Sequence, residues 1–392
     1  MIKLTHDIEF PVGKKKYEIW LFALCIFCLT MPFFMWQVSI KPFILICAFL
    51  SLKNTSKKTK SIFGFFMIVI YLYTGIYSHW SVFGILYLLL LTPLFFAKSK
   101  FIKQCFDVFV FIFSVTLIPS LLMYLLVCLL GISIPHTVID GLNPDKLGIY
   151  FKYPFLVTYS GGEVLIDYVL PRFYSYFDEP GVVGTIAGVL LFIKKFNFRS
   201  WVNIPIFIAG ILSFSLFFFI ISIIYVVFFT KIKKKLFLIP VLAILLIFLA
   251  DTEVFRLQIF ERLSFDTSIA ENFFTRRDVQ GFDNWYSEFV KTPEYYTGMG
   301  AGYNQEVNKG GCSYKNIIVD FGILYFIAFL AAFIYYGIRT FGFSKELVAA
   351  SLILFSVIYQ RPFIQDLSYI FLIYGAFVFL GEEKKSLTPL EV

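Results

Sequence analysis

Residues 172–184 read Arg-Phe-Tyr-Ser-Tyr-Phe-Asp-Glu-Pro-Gly-Val-Val-Gly. One guanidinium, Arg172, and two adjacent carboxylates, Asp178 and Glu179, stand at the mouth of an apolar segment. Charge at such a boundary is costly unless something uses it. A carboxylate near a low-dielectric region has its pKa raised and can take a proton as a general base. An arginine nearby can grip a phosphate or fix the carboxylate's orientation. The same residues admit an architectural reading. Pro180 suits a first helical turn, Asp178 suits an N-cap, and Glu179 suits the positive end of the helix dipole.

A second group lies downstream: Arg276-Arg277, then Trp285, then Gly298-Met-Gly300-Ala-Gly302-Tyr303. Paired arginines suit a diphosphate, or else a solvated salt-bridged surface. No strand precedes the glycines, so a backbone turn near a ligand fits better than a dinucleotide fingerprint. Asp320 opens the next apolar run, and Arg361 and Asp366 bracket a short turn near the end of the chain. Those two either pair with each other or flank a headgroup. His79 and His136 sit at the edges of apolar runs, where a lone histidine is more often structural than catalytic. No grouping has metal-ligand spacing, and Cys25-x-x-Cys28 lacks a second pair, so neither a metal nor a cofactor is expected.

The elements that hold these residues must be mostly apolar. The 392-residue chain is 59% hydrophobic and 15% charged, and its mean hydropathy is +0.80. A soluble protein of this length could not hide that much apolar surface, so the expected class is an all-α polytopic membrane protein. Fifty-two Phe and twenty-four Tyr suit lipid-facing packing with aromatic belts. The net charge of +8 does not indicate nucleic acid, because the basic residues form short clusters between apolar runs, as topology determinants do.

A crossing takes about 20 residues. Twelve are predicted, at 17–36, 40–52, 61–78, 80–97, 104–131, 181–193, 200–213, 215–230, 236–250, 317–338, 347–360 and 367–381. The apolar run 200–230 would make one helix ~46 Å long, so a break is expected at Gly210 and Ser213-Phe214-Ser215. That hairpin puts Lys53–Lys60, Lys98–Lys103, Lys194–Arg199, Lys231–Lys235 and Arg339–Lys345 on one side with Lys14–Lys16. By the positive-inside rule both termini, 1–16 and 382–392, are then cytoplasmic. Two long segments, 132–180 and 251–316, fall outside, between helix groups 17–131, 181–250 and 317–381. They are rich in aromatics and mixed charge, so ordered structure is expected in both.

The segment Phe-Tyr-Ser-Tyr-Phe-Asp-Glu-Pro-Gly resembles the Arg…Phe-x-Glu-Pro-Gly patch of bacterial O-antigen polymerases, the Wzy family. Ile-Leu-Ser-Phe-Ser-Leu at 211–216 resembles that family's Ser-rich helix break, and Arg276/Arg277 through Gly298-Met-Gly300 to Val-Asp320-Phe-Gly follows its second large outer loop. The resemblance implies a metal-independent glycosyltransferase with a GT-C-like fold in the bacterial inner membrane, active on the periplasmic face. It would move a growing glycan from undecaprenyl diphosphate onto a new lipid-linked oligosaccharide unit.

On that resemblance Glu179 is the expected base, with Asp178 or Asp320 as second choice. Arg172, Arg276, Arg277 and Arg361 would bind the diphosphate, and Trp285, Tyr303 and Tyr314 would stack on sugars. A Wzz-type chain-length regulator, a Wzx-type flippase and a ligase are the implied partners, besides the bilayer. Two rival readings stand beside it. O-antigen ligases carry an arginine after the Ser-rich break and a histidine before the tenth helix; Leu216-Phe217 and Ser313-Tyr314 stand there instead. A transporter or flippase usually keeps its charges at the bilayer midplane and its outer loops short, the reverse of this pattern.

Overall fold

The computed structural model describes residues 15–55, 61–77, 82–139, 149–160, 171–230, 282–300, 302–303, 314–361, 363 and 365–387. The described chain is mostly helical and divides into two compact units. One contains Met31–Val38 and Val110–Asn272; the other contains Glu9–Thr30, Ser39–Phe109 and Phe273–Val392.

The second unit carries α1 (Lys16–Leu29), α2 (Lys41–Lys53), α3 (Ser61–Tyr77), α4 (Val82–Leu91) and the start of α5 (Ser99–Tyr124). After 282 it adds α9 (Phe282–Phe289), α10 (Glu294–Thr297), α11 (Tyr314–Phe341), α12 (Lys345–Gln360) and α13 (Leu367–Leu387). Its core is aromatic. The Phe63 ring stacks on Tyr336 at 4.6 Å and meets Phe95 and Phe333 edge-on at 5.3 Å. Such pairs add to the large area each ring removes from water.

The first unit carries the end of α5, α6 (Pro180–Ile193), α7 (Asn203–Leu212) and α8 (Leu216–Ile224). Every residue of α6 is buried, which suits a helix that is apolar on all sides. Helices α7 and α8 pack on it, and Gly184 lets α8 approach, since a β-carbon there would collide with Ser215. Strands β1 (Thr137–Ile139), β2 (Ile149–Lys152) and β3 (Val157–Ser160) form one antiparallel sheet in the order β1-β2-β3, with Tyr150 opposite Tyr159.

The expectation of twelve full crossings is corrected. Among the described residues two helices are long and apolar enough to cross a membrane by length and composition, Ser99–Leu129 and Tyr314–Phe341. The other apolar segments are shorter: α1 and α6 each have 14 residues, α2 has 13 and α7 has 10. Fourteen residues rise ~21 Å, against a hydrocarbon core of ~30 Å. Local breaks set these lengths. Phe214, with φ 46, ends α7 before α8, and a 3-10 turn with Pro93 ends α4. The predicted crossing 236–250 lies outside the described residues. The sheet in 137–160 departs from a purely helical chain, and α11 is interrupted at Gly322 rather than continuous.

Candidate functional site

In the first unit the chain from Pro171 to Glu179 is pinned at almost every step. Phe173 N–H donates to the Leu212 carbonyl at 2.9 Å, and Phe33 N–H donates to that of Tyr176 at 2.7 Å. Val157 N–H donates to Ser175 O at 2.8 Å, and the Tyr176 hydroxyl donates to Thr116 O at 3.0 Å. The Tyr124 hydroxyl donates to Pro171 O. Phe173, Ser175, Tyr176 and Phe177 are buried, and Ser175 sits at φ 53. A non-glycine residue held in that region marks a segment whose surroundings dictate its conformation.

Arg172 is tied to the helix break. Its Nε donates to Ser213 O at 3.1 Å and its Nη2 to Phe214 O at 3.4 Å. These carbonyls follow the last turn of α7, where acceptors lack helical partners and a cation is favoured. The arginine singled out for its charge thus also serves the break that the sequence places at Ser213-Phe214-Ser215.

Asp178 and Glu179 follow, both half-buried. Glu179, not Asp178, is the N-cap residue of α6, with extended backbone at φ −139, ψ 134 and Pro180 beginning the helix. The Glu179 side chain makes no capping hydrogen bond, but its place at the helix N-terminus is the positive dipole end that the architectural reading gave it. The Tyr150 hydroxyl donates to Asp178 O at 3.4 Å. Burial, and next the Asp178 and Glu179 carboxylates, push the Tyr150 phenol well above its ordinary range. Strand β2 therefore sets a neutral phenol beside both carboxylates.

Around Tyr150 runs an aromatic cluster that the sequence reading did not assemble. Trp36 meets Tyr150 at 6.0 Å, Tyr159 lies 5.0 Å from Tyr150, and Phe33 lies 5.7 Å from Tyr176. Lys152 Nζ sits 4.7 Å from the centre of the Phe33 ring. The alternation of β-formers in Ile149-Tyr150-Phe151-Lys152 was the available signal. His136 is exposed and packs against Phe151 and Tyr153, each at 5.1 Å.

In the second unit Asp320, Trp285, Tyr303 and Tyr314 come together. Trp285 stacks on Phe289 at 5.3 Å and on Tyr303 at 6.3 Å, and Tyr314 stacks on Phe326 at 5.8 Å. Trp285, Tyr303, Tyr314 and Phe326 pack on a small core of Phe282, Phe289, Ile318 and Val319. The glycine turn wraps the Asp320 segment: Met299 N–H donates to Val319 O at 2.7 Å and Gly300 N–H to Asp320 O at 3.1 Å. Gly302 N–H donates to the Asp320 carboxylate at 3.3 Å. The glycines do form a turn, and what it closes on is Asp320 of the same chain rather than the ligand expected from the sequence.

Arg276, Arg277 and His79 lie outside the described residues. Arg361 follows α12, its N–H bonded to Val357 O at 2.7 Å. In the same connection Asp366 has its carboxyl pushed up to about 6 by burial. Among the described residues no group of three His, Cys, Asp or Glu is placed to hold a metal ion. No protein-family model, no curated protein and no solved structure matches the chain.

Proposed function

We propose that the chain is a membrane-embedded glycosyltransferase of the O-antigen polymerase type, joining lipid-diphosphate-linked saccharide units. The observation that carries this reading is the Asp178-Glu179 pair at the head of the fully buried α6, with Arg172 at the adjoining helix break. Membrane residence is supported by the two long apolar helices and by exposed apolar side chains on shorter ones. Phe83, Phe49 and Phe65 are 83%, 64% and 63% exposed, which water disfavours and lipid accepts.

In the reaction the acceptor sugar's hydroxyl oxygen bonds to the anomeric carbon of the lipid-linked chain. The bond from that carbon to the diphosphate oxygen breaks, and undecaprenyl diphosphate leaves. The hydroxyl proton passes to the Glu179 carboxylate at the head of α6. Arg172 places positive charge beside the site as negative charge grows on the leaving diphosphate. Trp36 and Tyr159, flanking Tyr150, offer flat apolar faces of the kind that pyranose rings stack on.

The test is a gel of surface glycolipid from a deletion strain. A ladder that collapses to lipid A core bearing one repeat unit is expected. Complete loss of attached sugar with lipid-linked polymer accumulating would replace this reading by a ligase. Lipid-linked single units confined to the cytoplasmic face would replace it by a flippase.

A further inference from the structure

Within the second unit, away from the Asp320 cluster, the ends of four helices enclose a cavity of about 310 Å³. Its charged residues are Arg339 at the end of α11 and Glu382 and Lys385 at the end of α13. Lys385 pairs with Glu382 at 2.8 Å, so those two charges largely cancel. Arg339 is exposed and has no ion pair or hydrogen bond with another described residue. The lining thus offers one net positive charge, together with the Ser99 hydroxyl as a hydrogen-bond donor; the Thr340 hydroxyl beside it bonds Tyr336. Ser99 is also the first residue of the long helix α5, whose positive dipole end adds to the same sign.

The remaining walls are apolar. Phe63 and Tyr336, stacked and buried, make a rigid base. Ile62 and Tyr335 line the cavity yet are 53% and 41% exposed, and Phe66 meets Tyr335 edge-on at 6.2 Å just beyond it. A polar recess with one spare positive charge, continued by an apolar track, matches an amphiphile carrying one negative charge. Free phosphate would gain nothing from the track. The basic clusters at 98–103 and 339–345 belong to the side that the positive-inside rule assigns to the cytoplasm, where basic recesses between helices take lipid headgroups.

We propose that this cavity holds the phosphodiester headgroup of a membrane phospholipid, with its acyl chains along Ile62, Phe66 and Tyr335. Arg339 is the principal ligand, and Thr340, Ser99 and Lys385 complete the recess. The proposal needs the chain to be membrane-embedded and is independent of the glycosyl-transfer reading.

The experiment is native mass spectrometry of the delipidated full chain titrated with phosphatidylglycerol. Wild type is compared with Arg339→Gln, with Lys385→Gln, and with Arg199→Gln as a basic control outside the cavity. One tightly held lipid per chain is expected. Its affinity should fall about tenfold in Arg339→Gln, the loss of one charge-assisted contact, and be unchanged in Arg199→Gln. Lys385→Gln should weaken it too, and it decides the matter should Arg339→Gln not fold. Wild-type binding by both cavity variants, or equal loss in Arg199→Gln, would overturn the site. Displacement of the lipid by millimolar inorganic phosphate would overturn the lipid assignment in favour of a free anion.

Discussion

Gly298 and Gly322 each press into the main chain beside the other. A β-carbon on Gly298 would collide with the Asp320 carbonyl, and one on Gly322 with the Tyr296 carbonyl. Gly298 has φ 87, ψ 165 and Gly322 has φ 85, ψ 159, a region that side chains other than hydrogen hardly visit. This crossing interrupts α11 and sets Asp320 within reach of the Gly302 N–H.

Gly298→Ala and Gly322→Ala are therefore expected to destabilise by more than ~2 kcal/mol, combining backbone strain with steric overlap. Gly302→Ala is the control. It too has positive φ, at 81, but open space where a β-carbon would go, so strain alone acts there, costing about 1–2 kcal/mol. Thermal unfolding of the three variants in detergent gives the ranking.

Arg172 bridges Ser213 O and Phe214 O, so its replacement should cost stability as well as activity. Arg172→Ala loses both charge-assisted contacts and is expected to destabilise by ~2–3 kcal/mol. Lysine keeps the charge but not the fork, so Arg172→Lys should fall between alanine and wild type. Equal melting temperatures for lysine and arginine would show that charge alone suffices.

Burial raises the Asp366 carboxyl from 3.8 to about 6, so the folded chain holds its proton more tightly than the unfolded chain does. Stability linked to this group is full below pH 4 and is lost as pH climbs through 6. Asp366→Asn should remove that dependence and stabilise the protein at pH 7.5, by on the order of 1–2 kcal/mol after allowance for partial exposure. Melting curves from pH 4.5 to 7.5 should slope downward for wild type and flatten for the variant.

Glu179→Gln preserves shape at the head of α6 and removes the base. The variant gives up a charge at the positive end of the α6 dipole, so it should melt within about 1 kcal/mol of wild type. Glycan elongation in a complemented deletion strain should nonetheless be lost.

Local signals were legible in the sequence. Glu179-Pro180-Gly181 announces a helix start, and α6 begins at Pro180. Ser213-Phe214-Ser215 announces a break, and α7 and α8 are separated there. Features fixed at a distance were not legible. The Gly322 kink is imposed by Tyr296 and Thr297, which no window around Gly322 contains. Arg172 reads as a spare cation until Ser213 and Phe214, about forty residues on, are brought to it. The helix lengths show the same limit. Hydropathy marks where apolar residues lie, while the turns that cut them short depend on single backbone angles, such as φ 59 at Met31 just past the end of α1.

The most direct test of the central claim uses purified protein in lipid nanodiscs with undecaprenyl-diphosphate-linked repeat units as sole substrate. The measurement is the length distribution of lipid-linked glycan by mass spectrometry. The account predicts products of two or more units with wild type, release of undecaprenyl diphosphate in step with each bond formed, and neither with Glu179→Gln. Elongation by Glu179→Gln at the wild-type rate would contradict Glu179 as the base. No elongation by folded wild type, with lipid-linked units moved across the bilayer instead, would contradict the glycosyltransferase reading itself.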